Sequence, residues 1–340
     1  MATYAETGIH LDDARRTTER LEEVVARARG AGVLADVGAF GGMFPLGVAG
    51  EYTDPVLVAS TDGIGTKVKI AVALGRYDTL GTDIVNHCVN DIAVQGARPL
   101  FFLDYLALHR ANPEVVTAIV AGVVDACAAA GCTLLGGETA EMPDVYPPGE
   151  LDLAGFIVGV MDRAAIGVNG APAAGDVLLG LPSTGLHTNG YSLARRALPR
   201  ATWGDFDPEL NMTVGEALLT PHRSYLAEIQ KLIGVGARGF AHITGGGFPE
   251  NVARVVPSHL TAEIDTTTWE PPGIFRRIAS EGPVLSGEMY RVFNMGIGLV
   301  AIVSAECVGE AIAAVPEAIV IGEIVPHCGD AAVRLLGLAA

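Results

Sequence analysis

Cationic side chains are scarce in this chain. Its 340 residues hold 22 Lys and Arg against 39 Asp and Glu, a formal net charge of −17. So acidic a surface repels nucleic acid and anionic membrane, and no partner of either kind is expected. An anionic substrate must be met by local basic groups, backbone N–H groups or a metal. Cysteine is also sparse: Cys88, Cys127, Cys132, Cys307 and Cys328 are odd in number and form no C-x-x-C pair. That pattern argues against a disulfide framework and for reduced, mostly buried thiols. No apolar run approaches the ~20 residues of a membrane helix, and residues 1–23 have no apolar signal-peptide core. A cytoplasmic protein is expected. The chain lacks a G-x-x-x-x-G-K-[ST] phosphate loop, which removes the commonest class of nucleotide enzymes.

What is present is a large apolar fraction, 50%, against 18% charged residues, the balance of an ordinary globular protein. The length favours two domains. The 43 glycines cluster at the ends of apolar runs, as tight turns and ligand-facing loops require. Helical spacing is read over residues 12–29, 67–74, 80–95 and 114–130, the last opened by Asn112-Pro113 and closed by Gly131. Strand-type runs fall at 55–59, 100–108, 132–135 and 153–161. A Gly/Pro/Ala segment at 169–175 separates this half from a second one. There, strands are expected at 177–181, 298–303 and 318–324, and helices at 191–198, 221–233, 249–255 and 306–314. The alternation predicts α/β architecture in two domains, 1–168 and 169–340.

Three acidic positions lie at the ends of apolar segments in the first half. Ser60-Thr61-Asp62-Gly63-Ile64-Gly65-Thr66-Lys67 reads as a loop between a strand and a helix, the usual place for ligand groups in α/β folds. Asp91 sits in a helical pattern among apolar neighbours, where a carboxylate must be paired, hydrogen-bonded or on a metal. Gly136-Gly137-Glu138-Thr139-Ala140-Glu141 reads as another strand-end loop; one of its two carboxylates serves a metal and the other charges a helix start. Mg²⁺ takes one or two carboxylates plus substrate phosphates and waters, so Asp62, Asp91 and Glu138 are the candidate metal ligands. Lys67 adds a point charge, and Ser60, Thr61 and Gly63 expose groups to a nucleotide.

In the second half, His187-Thr188-Asn189 within the polar loop 183–190 precedes a helix, where backbone N–H groups bind anions. His187 can meet a phosphate or move a proton, or it can simply cap the helix that follows. Thr244-Gly245-Gly246-Gly247 repeats the same arrangement, with a plain tight turn as the competing reading. Arg291 is the single cation of an apolar stretch and must pair with something.

Taken in order, STDGIGTKVKIA, the D-x-x-x-x-G-A-x-P run at 91–99, PLFFLDY, GGETAEMP, ELDLAGF, GLHTNGYSL, HITGGGFPEN and FNMGIG resemble the phosphoribosylformylglycinamidine cyclo-ligase (AIR synthetase) family. The 91–99 run alone indicates only the wider superfamily, with its selenophosphate synthetases, thiamine-monophosphate kinases and hydrogenase maturation factors. The resemblance implies a two-domain α/β fold whose N-terminal sheet pairs across a homodimer. It implies ATP and Mg²⁺ as cofactors and formylglycinamidine ribonucleotide as the small-molecule substrate, closed to aminoimidazole ribonucleotide in purine biosynthesis. Asp62, Asp91 and Glu138 match the acidic metal–ATP positions, and Lys67 with Ser60 and Thr61 the nucleotide side. Lys67 and His187 become candidate catalytic groups. The 187–189 and 244–247 loops, with Arg291, become candidate substrate contacts. Where the family shows G-V-D-I-D near its start, this chain reads Gly8-Ile9-His10-Leu11-Asp12, one carboxylate fewer.

Overall fold

The computed structural model describes residues 20, 21, 24, 25, 41–327 and 331–338. Of the helix expected at 12–29, the four described positions are helical; the remainder, the 8–12 segment and Cys328 lie outside the described residues. The chain divides into two compact units, one reaching Ile92 and including Ala97–Asp162, the other formed by Ala93–Gly96 and the chain from Arg163 onward.

The first unit is built on a four-stranded sheet in the order β1-β4-β2-β3: β1 (Pro55–Gly63), β2 (Arg98–Leu108), β3 (Thr133–Glu141) and β4 (Leu151–Asp162). β4 runs antiparallel to both neighbours, while β2 and β3 are parallel. Helices α1 (Val68–Leu74), α2 (Leu80–Ala93) and α3 (Pro113–Ala129) complete the unit. α3 starts where the sequence says it should: Asn112 Oδ1 accepts from the Glu114 and Val115 N–H groups, with Pro113 in the first turn. Glycines set the approach of α2. A Cβ on Gly81 would lie 2.2 Å from the Ile119 carbonyl oxygen, and one on Gly122 3.3 Å from Gly81 Cα, so α2 and α3 touch backbone to backbone. On its other side α2 lies on β4, where Cβ atoms at Gly155 and Gly159 would reach within 2.9 Å of Ile84 and 2.7 Å of Ile92.

Two expected loops are strand. Residues 60–63 extend β1, paired residue by residue with Ile157 to Ala154 of β4, and the GGETAE segment extends β3 beside β2 through Glu141. Ladders formed with strands far along the chain satisfy these backbones, and local composition does not reveal them. The sheet face turned from α2 exposes large apolar groups, with Leu57 59% and Phe156 43% accessible.

The second unit carries a six-stranded sheet in the order β12-β9-β11-β5-β10-β8. Its members are β5 (Val177–Pro182), β8 (Gly239–His242), β9 (Leu260–Asp265), β10 (Ile297–Val303), β11 (Ile319–Pro326) and β12 (Val333–Leu336). β6 (Phe206–Asp207) and β7 (Met212–Thr213) form a separate ribbon. β10 is buried at every position, and Leu299, Ala301 and Val303 join Leu179, Leu181, Tyr225, Ile229 and Leu232 in the core. The helices are α4 (Tyr191–Ala197), α5 (Val214–Leu219), α6 (Leu226–Gly234), α7 (Gly247–Ala253), α8 (Gly273–Glu281), α9 (Ser286–Val292) and α10 (Val308–Ala314). The helix expected from residue 221 begins only at Leu226. Arg223 binds the Pro182 carbonyl, Glu228 and Glu317, and the Tyr225 hydroxyl donates to the same carbonyl at 2.8 Å, so tertiary contacts hold 221–225 out of the helix. No helix among the described residues is long and apolar enough to cross a membrane.

Candidate functional site

Strand alternation sorts the acidic residues of the first unit. Successive residues of a strand face opposite sides. Asp62, Gly155, Asp104 and Gly137 form one row across the sheet, and Gly63, Ala154, Tyr105 and Glu138 the next. Ser60 and Asp62 therefore face α2, whereas Thr61, Gly63 and Glu138 face the other way. Glu138 also lies three strand spacings from β1, ~14 Å. The expected trio of metal ligands is not assembled: Asp62 and Asp91 come together, and Glu138, exposed on the opposite face, does not join them.

A histidine brings those two carboxylates together. His87 Nε2 lies 2.8 Å from Asp62 Oδ2 and 3.9 Å from Asp91 Oδ2, with the His87 side chain 3% exposed and the carboxylates 38% and 28%. Ser60 Oγ donates to Asp91 Oδ2 at 3.2 Å, and the Gly63 N–H to Asp62 Oδ1 at 2.7 Å. Burial pushes the His87 imidazolium down, but the hydrogen bond and charge of Asp62, with Asp91 and Asp83 behind it, outweigh burial and raise its pKa. Two carboxylates turned to one imidazole, fixed from behind yet open to solvent, fit a hard cation that completes its shell with phosphate oxygens. His87 escaped the sequence reading, although Asp83, His87 and Asp91 recur every four residues and so line one stripe of α2.

Lys67 departs from its expected role. Its Nζ lies 2.9 Å from Asp83 Oδ1 and 2.8 Å from Oδ2, with both side chains wholly buried. Burial lowers its pKa and Asp83 opposes that. A lysine enclosed with its counter-ion is a core ion pair and offers no charge to a phosphate. Arg291 departs too: it is 66% exposed on α9, with Glu288 at 3.8 Å, a surface cation outside the apolar core of its neighbours.

In the second unit the two predicted loops do meet. Asn189 Nδ2 lies 3.5 Å from where a Gly245 Cβ would stand. Asn251 donates from Nδ2 to the Thr244, Gly245 and Gly247 carbonyls, holding the glycine loop at the start of α7. Gly246 and Gly247 have φ of 90° and 58°, and a Gly247 Cβ would sit 2.0 Å from the Tyr290 carbonyl, so this turn needs glycine. His187 is buried with φ 61°, its Nε2 accepting from the Thr184 N–H at 3.3 Å. Its ring stacks on His222 with centroids 4.0 Å apart, and His222 Nε2 lies 3.1 Å from His242 Nε2. Thr188 Oγ1 reaches His222 Nδ1 at 3.3 Å. Nothing in the sequence pattern singles out His222, which lies in the segment expected to be helix.

Residues 46–161 match the description AIR synthase related protein, N-terminal domain, and residues 173–333 its C-terminal domain. The chain is 45% identical over 331 residues to the phosphoribosylformylglycinamidine cyclo-ligase of Alkaliphilus oremlandii (strain OhILAs), covering 95% of this chain and 97% of that one. It is 46% identical over 333 residues to the protein of the same name from Sorangium cellulosum (strain So ce56), covering 95% of each. Its fold is similar to that of the hydrogenase maturation protein HypE of E. coli (TM-score 0.69, 20% identity, 96% and 94% of the two chains). The same holds for a HypE solved in complex with ATP (TM-score 0.64, 17% identity, 93% and 90%).

Proposed function

The chain belongs to the AIR synthase related family, and we propose that it catalyses the ATP-dependent ring closure of formylglycinamidine ribonucleotide to 5-aminoimidazole ribonucleotide. ADP and phosphate are the other products, and the reaction is a step of purine biosynthesis. The observation that carries this reading is the 45% and 46% identity, over 95% of the chain, to two proteins bearing the cyclo-ligase name. The formyl oxygen of the substrate takes the γ-phosphoryl group of ATP. A nitrogen of the substrate's own amidine then attacks the formyl carbon, the C–O bond breaks as phosphate leaves, and the nitrogen gives up a proton as the new C–N bond closes the ring.

Asp62 and Asp91 are the residues that would hold Mg²⁺, which supplies charge neutralisation on the phosphates. His87 positions both carboxylates, and Ser60 orients Asp91. Lys67 fixes the strand-to-helix connection through Asp83. In the second unit His187, Thr188, Asn189 and the 244–247 turn supply imidazole, hydroxyl, amide and backbone N–H groups to the substrate. Because ring closure is intramolecular, holding the substrate folded supplies much of the acceleration. Residues 1–168 are taken as the ATP-binding half and 169–340 as the half bearing these loops. We also propose a cytoplasmic homodimer, in which the uncovered face bearing Leu57 and Phe156 meets a second copy.

The test measures ADP and aminoimidazole ribonucleotide together, with Mg-ATP and with or without formylglycinamidine ribonucleotide. Matched release of both, lowered about 100-fold or more in Asp91→Asn with a raised Mg²⁺ requirement, is expected. ADP without the imidazole would transfer the reading to another phosphoryl acceptor. Unaltered Mg²⁺ dependence in Asp91→Asn would remove Asp91 from the metal.

A further inference from the structure

We propose that His187, His222 and His242 form a binding site for a divalent cation of the Zn²⁺ class. The inference goes beyond the ring-closure reading and does not depend on it. The three imidazoles come from three places in the second unit: the loop after β5, the segment before α6 and the last residue of β8. They are 1%, 1% and 6% exposed, and one ring nitrogen of each lies within 4.8 Å of the others.

Geometry and donor chemistry agree on the occupant. A tetrahedral ion with imidazole nitrogens at 2.0–2.1 Å spaces those nitrogens ~3.3 Å apart. His222 Nε2 and His242 Nε2 already stand 3.1 Å apart. In the free protein one N–H fills that gap; on binding, that imidazole carries its proton on Nδ1 instead, and the ion takes the place between the two Nε2 lone pairs. Thr188 Oγ1 can accept from His222 Nδ1–H, which fixes the tautomer that leaves Nε2 unprotonated, with its lone pair free for an ion. His187 has to turn out of its stack on His222 and give up a 3.3 Å hydrogen bond from Thr184. Gly298 leaves space for that ring where it now stands, since a Cβ there would lie 2.6 Å from His187 Cε1. Its left-handed backbone, φ 61°, is unusual for a residue with a side chain. An all-nitrogen set suits Zn²⁺, Co²⁺, Ni²⁺ or Cu²⁺ and not Mg²⁺. Three protein ligands leave a fourth position for water or an anionic oxygen, and the ion would tie the 183–190 loop to the 244–247 turn.

The test is a Co²⁺ titration of tag-free, chelator-stripped full-length protein, followed by the visible absorption of four-coordinate cobalt. One equivalent of Co²⁺ with that spectrum, displaced by Zn²⁺, is expected. His222→Gln and His242→Gln should each weaken binding about 100-fold or more, with circular dichroism unchanged. His109→Gln and His259→Gln should bind as the parent does. Absence of the four-coordinate spectrum in the parent protein overturns the proposal whatever the variants do. Persistence of the spectrum in folded His222→Gln also overturns it. Cyclase turnover with Mg-ATP is read separately on the metal-free protein: turnover without cobalt binding would overturn the metal site alone, and cobalt binding would withdraw the His187 imidazole from direct substrate contact without bearing on ring closure itself.

Discussion

Replacing Asp104 by asparagine should stabilise the first unit, and by an amount that grows with pH. Asp104 is 8% exposed on β2, beneath the same sheet face as Asp62, and Gly137 beside it has no room for a Cβ, which would stand 2.2 Å from Asp104 Oδ1. Burial raises its pKa from 3.8 to about 7, against the weaker pull of its own backbone amide. The folded pKa lies above the unfolded one, so the folded state favours the neutral acid. The associated stability is complete below pH ~4, falls as pH rises, and is gone above pH ~7. A shift of about three units corresponds to roughly 4 kcal/mol, an upper value because the site relaxes around the charge. Asparagine keeps the volume and never ionises. Urea melts of parent and Asp104→Asn should give a stability difference near 1–2 kcal/mol at pH 5 and up to about 4 kcal/mol at pH 8 in favour of the variant. Groups common to both proteins cancel in that difference. A difference that is flat from pH 5 to 8, or one that favours aspartate at pH 8, would refute the argument.

Two further outcomes probe the site and the assembly. Lys67→Met leaves Asp83 buried without its partner and should cost about 3–5 kcal/mol of stability, which Lys67→Met/Asp83→Leu largely restores; a folded Lys67→Met with normal stability but no turnover would return Lys67 to a catalytic role. Phe156→Asp puts a charge on the uncovered sheet face, and sedimentation should show the proposed homodimer dissociating without loss of fold; an unchanged mass would place the interface elsewhere.

The α/β alternation was legible because helices such as α3 carry their own start signal and β10 its own apolar run. What escaped depended on partners distant in sequence. Ser60 to Gly63 read as a loop because β4, which makes them strand, lies more than 90 residues on. Once they are strand, alternation separates Asp62 from Glu138, which no local motif records. His87 was readable from the four-residue spacing along α2, and Lys67 lost its expected role to Asp83 on that stripe. His222 was not readable, since its partners arrive from other elements only after folding.

The bare contact between Gly81 and Gly122 has a mechanical consequence. Helix α2 is clamped at its first turn against α3, and Asp91 stands near its far end, ten residues and ~15 Å along the axis. Ile92, one residue past that carboxylate, packs on Gly159 of β4, so the helix is pinned at both ends. One methyl group added at Gly81 would push the first turn off α3 and load the strain onto the Ile84 and Ile92 contacts that hold the carboxylate's end of the helix.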